Sequence, residues 1–383
     1  AVMEGTTTSL LPRLTTATSP PSRLASDSAA EGGAARDSVG GVAALWPLVL
    51  AVLVHSSRST PLPPTVLPAL RILCEAGAAP ADVLGGLCVA LNKWGSVGEL
   101  AEELRRTQQE ADRGDVGSLR LWLWSCKAAI GRGGSFVKPA VETLARYISA
   151  PPSILAQAEA QVAWCETAAD GVGLLMDPLP TVFLRSRGAQ LPVLLTQRLF
   201  STLLPMLEKA LAQADLAPTA KAALLRAAAH CIAKAPTSPL LAQASLALPL
   251  LARWMHGAAG RPPTSPVEHQ LLLEALGVAR DLLEKDPSHA QLGELLPTWL
   301  QMIPSLSGPA ADALSAAQQV DTLERCIECL TAAQALPHFT ISPLKRKVLQ
   351  ALREPLDHRK RRIRQAAARC INQWHLLPSR HGG

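Results

Sequence analysis

Aromatic residues are scarce in this 383-residue chain, at 3%, with Tyr147 the single tyrosine, and asparagine occurs only at Asn92 and Asn372. A β-sheet needs β-branched and aromatic side chains to fill its pleated faces, so an all-β fold is excluded. Long apolar runs are missing too. The most apolar stretch, Val42 to Val54, has 13 residues with Pro47 inside it, whereas a membrane-spanning helix requires roughly 17–25. Thr6 to Asp27 is a mixture of Ser, Thr and Pro without the charged start and apolar core of a secretory signal. Neither asparagine heads a glycosylation acceptor, because Trp94 and Trp374 occupy the third positions. The eight cysteines stand at irregular spacings, which is no disulfide framework for a chain of this size. A reducing compartment, cytosol or nucleus, is expected.

What the chain does have is alanine and leucine, both strong helix formers, within 48% hydrophobic and 18% charged residues. Residues 1–38 are rich in Ser, Thr, Ala, Gly and Pro without a sustained period and read as a disordered segment. Beyond them, apolar-periodic stretches of 12–18 residues alternate with breaks at Pro, Gly, Asp and Ser, the pattern of helix after helix. The last stretch is the clearest. Ile363, Ala367, Cys370, Ile371, Trp374 and Leu377 fall on one stripe, and Arg359, Arg361, Arg362, Arg364 and Gln365 fall mostly outside it. The helix before it carries Leu344, Val348, Leu349 and Leu352, and Pro355-Leu356-Asp357 reads as a tight turn whose Asp357 caps the second helix.

That two-helix unit recurs upstream at 197–213 with 219–234, 239–256 with 265–284, and 289–304 with 318–335. A proline follows each second helix, at Pro236, Pro287, Pro337 and Pro378. The intervals overlap and slightly exceed the roughly 40–47 residues of HEAT or armadillo units. Such a unit buries its apolar face only against neighbours. The expectation is therefore all-α: a HEAT/armadillo-type solenoid of stacked antiparallel helix pairs, with HEAT-like repeats over 39–190, C-terminal HEAT repeats over 191–377 and a tail at 378–383. Earlier helices are expected near 41–54, 65–76, 81–93, 97–112, 117–131, 137–149 and 153–168, with a linker or long loop from Gly171 to Pro192.

Catalytic constellations are absent from the sequence. There is no G-x-S-x-G elbow and no G-x-x-x-x-G-K-S/T loop. Gly131-Arg132-Gly133-Gly134 reads as the end of the helix carrying Trp122 and Trp124, which stand two apart and pack against different neighbours. Cys326-x-x-Cys329 has no second pair of ligands for zinc. It stands on a helix opened by a capping box of Asp321 and Glu324, with Leu323, Cys326, Ile327 and Leu330 facing inward. Cys74, Cys88, Cys126, Cys165, Cys231 and Cys370 read as core. No catalytic residue, metal ligand or cofactor is expected.

Charge gives the one strong local signal. From Lys345 to Arg369, ten basic residues (Lys345, Arg346, Lys347, Arg353, Arg359, Lys360, Arg361, Arg362, Arg364 and Arg369) face only Glu354 and Asp357, while the whole chain nets +6. Such a patch on structured helices binds an acidic protein surface or nucleic acid, or is a solvated outer face. For nucleic acid, interleaved aromatics are wanted, and only Trp374 is near, on the apolar stripe.

Several stretches resemble one family. Pro355-Leu356-Asp357-His358-Arg359-Lys360-Arg361-Arg362-Ile363-Arg364, followed by Trp374 and Leu376-Leu377, resembles the C-terminal HEAT repeat of the MMS-nineteen family. Leu123-Trp124-Ser125-Cys126-Lys127-Ala128 resembles its Leu-Trp-x-x-Lys-Ala helix, and Ala168-Ala169-Asp170-Gly171-Val172-Gly173-Leu174-Leu175-Met176 its Ala-Ala-Asp-Gly-x-x-Leu-Leu-Met segment. Gln197-Arg198-Leu199-Phe200 with Leu204-Pro205 is similar to its Gln-Arg-x-Phe helix start. His358 stands where the family commonly has a second acidic residue, and Cys370 to Gln373 depart from its usual ending.

The resemblance implies a non-enzymatic adaptor, the scaffold of the cytosolic iron–sulfur assembly (CIA) targeting complex. Its C-terminal HEAT region would dock a WD40-propeller subunit and a small MIP-type CIA subunit. The scaffold would recruit apo iron–sulfur client proteins, among them DNA helicases, polymerases and repair enzymes, in cytoplasm and nucleus. On that reading Arg359, Lys360, Arg361 and Arg364 face the partner, Asp357 fixes the turn and Trp374 anchors the core. Membrane attachment and direct nucleic-acid binding are not expected. The alternative is a generic HEAT-repeat interaction or karyopherin-like transport solenoid.

Overall fold

The computed structural model describes residues 97–132, 134–152, 155, 157–177, 193–259, 263, 265–288, 290–307 and 316–377. The expected disordered segment 1–38, the helices expected near 41–54, 65–76 and 81–93, and the tail 378–383 lie outside the described residues. Every regular element among the described residues is helical: α1 (Val97–Ala111), α2 (Val116–Arg132), α3 (Val137–Ser149), α4 (Ala158–Met176), α5 (Val193–Leu211), α6 (Pro218–Ala233), the short α7 (Thr237–Ala242), α8 (Ala244–Ala259), α9 (Pro266–Lys285), α10 (Leu296–Ser307), α11 (Ala316–Ala332), the one-turn α12 (His338–Ile341), α13 (Lys345–Ala351), α14 (Arg353–Leu356) and α15 (Arg361–Leu376), with 3-10 turns between some of them.

The helices form two layers. In one, α2, α4, α6, α9, α11 and α15 each pack against the next; in the other, α3 meets α5, α5 meets α8, α8 meets α10 and α10 meets α13. Sequential partners cross between the layers, α1 on α2, α3 on α4, α5 on α6 and α10 on α11. Each repeat therefore closes its core against the next, the arrangement of a helical-repeat solenoid. One apolar cluster runs unbroken from Ala111 to Trp374.

Local signals explain where helices begin and end. Ser265 accepts a hydrogen bond from the Glu268 backbone N–H at 3.2 Å, with Pro266 in the first turn, so α9 starts there. Helix α2 ends at Arg132, in the glycine run expected to stop it. Pro205, Pro249 and Pro304 lie inside α5, α8 and α10. All three belong to one layer, and an interior proline removes one backbone hydrogen bond from each helix. The expected linker from Gly171 is corrected at its start: α4 continues to Met176, and 178–192 lies outside the described residues. The expected capping box at Asp321 is also overturned, because α11 already begins at Ala316 and Asp321 stands in its second turn.

The single tyrosine occupies a joint. The Tyr147 ring meets Trp122 of α2 at 5.2 Å and Trp164 of α4 at 5.4 Å, both edge-to-face, a geometry that stabilises beyond area alone. Its hydroxyl donates to Asp112 Oδ1 at 2.8 Å. Burial first, then that bond, pushes the phenol above its ordinary range. Gly277 inside α9 is the opposite case, because a Cβ added there would meet no atom within 4 Å. Glycine costs a helix interior about 1 kcal/mol relative to alanine. Gly277→Ala is thus expected to stabilise the array by about 0.5–1 kcal/mol; an unchanged or lower melting temperature would contradict the open space seen there.

Candidate functional site

The basic cluster is built on the loop between α14 and α15. Pro355 and Leu356 close the one-turn α14, not the bare turn expected from sequence, and the Asp357 backbone N–H bonds to the Glu354 carbonyl at 3.1 Å. The expected Asp357 cap is corrected as well. Lys360 occupies the position before α15, no side chain caps the helix, and the Asp357 side chain is exposed. Two other contacts shape the loop. The Lys360 backbone N–H donates to His358 Nδ1 at 3.1 Å. The Arg364 guanidinium turns back to donate to the carbonyls of His358 at 2.8 Å and Arg359 at 3.1 Å.

The cations divide by role. Arg362 is bound to Asp321 and, at 3.0 Å, to Glu324 of α11, so it ties the last helix to the preceding repeat. Lys345 donates to the Leu377 carbonyl at 2.7 Å. Arg364 braces the loop. Of the seven cations that remain, Arg346, Lys347, Arg353 and Arg369 are spread along α13 to α15, whereas Arg359, Lys360 and Arg361 are consecutive, exposed and without an ion-pair partner among the described residues. Partial desolvation, then the charges of Arg359 and its neighbours, lower the His358 pKa below 6.5, which keeps its Nδ1 an acceptor at neutral pH. Trp374 is fully buried, and its Nε1–H donates to the Leu330 carbonyl of α11 at 2.9 Å.

The other motif residues hold the array together. Asp170 on α4 takes Arg226 of α6 in two hydrogen bonds, 2.6 and 3.0 Å, and its Oδ1 lies 3.0 Å from His230 Nε2. Burial alone would raise the Asp170 carboxyl. The His230 bond and the Arg226 charge outweigh it and hold the group below its ordinary 3.8. A Cβ on Gly171 would stand 2.4 Å from the buried Leu123 side chain, and one on Gly173 2.6 Å from His230 Nδ1. The small residues of this segment therefore let α4 lie close between α2 and α6. Lys127 on α2 donates to the carbonyls of Leu174 and, at 2.7 Å, Asp177, closing the end of α4. Two motifs distant in sequence thus meet at one joint. A missed signal was available, since Arg226 and His230 are four apart on α6 and so share the face toward Asp170.

Further charge pairs join successive helices of this layer. Lys234 meets Glu274 at 2.9 Å, from α6 to α9, and Arg280 meets Glu328 at 3.1 Å, from α9 to α11. Cys326 and Cys329 lie in the core with no exposed surface. Burial pushes the Cys326 thiol up to about 12 and raises Cys329 as well, whose Sγ donates to the Leu276 carbonyl at 3.2 Å. Cys126, Cys165, Cys231 and Cys370 are buried too, as core cysteines are; Cys74 and Cys88 lie outside the described residues. Among the described residues no cluster of three His, Cys, Asp or Glu side chains could hold a metal ion, and no helix is long and apolar enough to cross a membrane.

A family model described as "RNAPII transcription regulator C-terminal", MMS19_C, matches residues 81–371. The chain belongs to the MMS19 C-terminal family. Curated relatives carry the name "MMS19 nucleotide excision repair protein homolog". The Arabidopsis thaliana protein is 27% identical over 212 residues, covering 55% of this chain and 18% of the relative. The Bos taurus and Homo sapiens proteins are each 28% identical over 214 residues, covering 55% of this chain and 18% of the relative. The matched stretch thus spans about a fifth of those relatives' length. Among solved structures, an engineered protein is similar with a TM-score of 0.37 and 12% identity, over 76% of this chain and 96% of that chain. Kap121p is similar with a TM-score of 0.31 and 14% identity, over 86% of this chain and 38% of that chain.

Proposed function

We propose that this chain is the docking end of a non-catalytic MMS19-type adaptor serving cytosolic iron–sulfur protein assembly. The observation that carries the reading is the turn before α15, where Arg359, Lys360 and Arg361 stand exposed and without an ion-pair partner among the described residues, on a loop fixed by Arg364, His358 and Arg362. Three like charges held on a preordered loop attract an acidic surface while losing little conformational entropy on binding. The partners are the small MIP-type CIA subunit and the WD40-propeller subunit, and the array they help anchor recruits apo helicases, polymerases and repair enzymes. The relatives' naming for nucleotide excision repair supports a role in DNA repair and a presence in the nucleus; the assembly role would add the cytoplasm. The cluster delivered to clients is cargo in this reading.

Nucleic acid is the weaker partner class for this turn. Trp374, the aromatic residue near it in sequence, is spent on the core, so no base-stacking ring is supplied from α15.

Reversing the charges together, Arg359→Glu, Lys360→Glu and Arg361→Glu, tests the dock. Affinity for the purified MIP-type subunit is expected to fall at least about 100-fold, roughly 2.7 kcal/mol. Far-UV circular dichroism should stay unchanged, because none of the three side chains has an ion-pair partner among the described residues to lose. Binding as tight as that of the unaltered chain would remove the turn from the interface.

A further inference from the structure

A second surface lies far along the chain from the α15 turn and is not used by the reading above. Helices α4, α6, α8 and α9 leave a groove of about 490 Å³ open to solvent, within the size range of sites that take a ligand or a few side chains. Its walls include Val162, Ala222, Ala223, Trp254 and Gly257. Three features make it more than a packing fault.

The first is charge. Glu166 on the α4 side and Arg253 on the α8 side both line the groove, are exposed, and have no ion-pair partner among the described residues. Arg226, also in the lining, is already neutralised by Asp170. Among the described residues the groove thus offers Glu166 as an unpaired anion and Arg253 as an unpaired cation, on different helices.

The second is the polar inventory. None of the buried polar atoms that lack a partner lies in the lining. The polar side chains of the lining are Glu166, Thr219, Arg226, Arg253 and Glu268; with Arg226 held by Asp170 and Glu268 buried, Glu166 and Arg253 are its exposed charges. Here the floor suits an apolar anchor, and the charges suit groups flanking it, which is how a hot-spot pocket receives a side chain from a partner protein.

The third is Gly257. It lies within α8, and a Cβ there would meet nothing within 4 Å. Glycine is the weakest helix former after proline, yet no neighbour requires it. What its missing side chain leaves open is the groove.

We infer that this groove binds a linear segment of a partner protein in which a bulky apolar side chain, of leucine, phenylalanine or tryptophan size, is flanked by an acidic and a basic residue. The apolar group fills the floor between Ala222, Trp254 and Gly257, its acidic neighbour pairs with Arg253, and its basic neighbour pairs with Glu166. The array then contacts two partners at once, one at the α15 turn and one here. Two linked contacts raise overall avidity without either being tight.

Random dodecapeptides displayed on phage, selected against the full chain, supply the probe. The expected result is recurrent sequences with one bulky apolar residue between an acid and a base. Synthetic versions should bind at least tenfold more weakly to Gly257→Leu, whose Cβ meets no atom within 4 Å, with the fold expected to stay intact by circular dichroism. Arg253→Glu, at an exposed position, should weaken the same peptides at least fivefold and shift selection away from the acidic neighbour. Selection that yields no such pattern, or peptides that bind Gly257→Leu as tightly as the unaltered chain, would overturn the assignment.

Discussion

Truncating Trp374 to alanine is expected to destabilise the last helix pair by about 3–5 kcal/mol, the range for removing a fully buried tryptophan. The ring is wholly enclosed between α15 and α11, and its Nε1–H satisfies the Leu330 carbonyl. Among the described residues α15 packs chiefly against α11 and α14, with a smaller contact to α13. In a repeat array, where each unit leans on the next, the effect should be local. Hydrogen exchange should accelerate over 361–376 while α2, α4 and α6 keep their protection. Trp374→Phe retains most of the packing and removes one hydrogen bond, so about 1 kcal/mol is expected from the lost bond, with a smaller packing cost added. If Trp374→Ala left exchange in α15 unchanged, the ring would not be the anchor. The functional consequence follows directly, because the loop bearing Arg359 to Arg361 is held by the start of this same helix.

Asp170→Ala is expected to cost about 2–3 kcal/mol. Removing one partner of a fully buried pair costs about 3–5 kcal/mol because the other charge is stranded, and Asp170 keeps 32% of its side chain in water. The stranded groups would be Arg226 and His230, both nearly buried. A double-mutant cycle with Arg226→Ala should show a coupling of at least about 1 kcal/mol, since the two residues share one network. Acid should erase the difference. The folded carboxyl titrates below the unfolded value of 3.8. Its contribution is therefore complete above that pH and is lost as pH falls through the folded value. The stability gap between the unaltered chain and Asp170→Ala should hold at neutral pH and close below about pH 4. A gap that never closes as acid is added would mean the aspartate acts through packing and not through charge.

Most of the repeating helix pairs were legible in the sequence because apolar stripes and the prolines after second helices are local signals, but α8, expected to pair with α9, packs chiefly on α6. Helix ends inside the array were less so. Gly171 and Gly173 look like breakers, yet tertiary contact with Leu123 and His230 decides that α4 runs through them. Pro304 marks a stop by local rules, but α10 continues to Ser307, with Ile303 and Leu306 buried on either side of it. In the turn before α15, charge density was visible and its division was not. Sequence places Arg362 and Arg364 beside Arg361 as equals. Only the approach of α11 turns Arg362 into a tie to Asp321 and Glu324, and only the loop geometry folds Arg364 back onto its own carbonyls. The joint of Lys127 with the end of α4 spans about fifty residues, a pairing that no local pattern encodes.

Docking of an acidic CIA partner by the last repeats, through charge, is the proposal on which the other functional statements rest. Capture of the full chain on the purified propeller–MIP-type pair, measured at two salt concentrations, tests it most directly. Stoichiometric capture that weakens moderately as salt rises is expected if three exposed cations contribute to the contact. Absence of capture at low salt, or capture indifferent to salt and to the triple charge reversal, would contradict it.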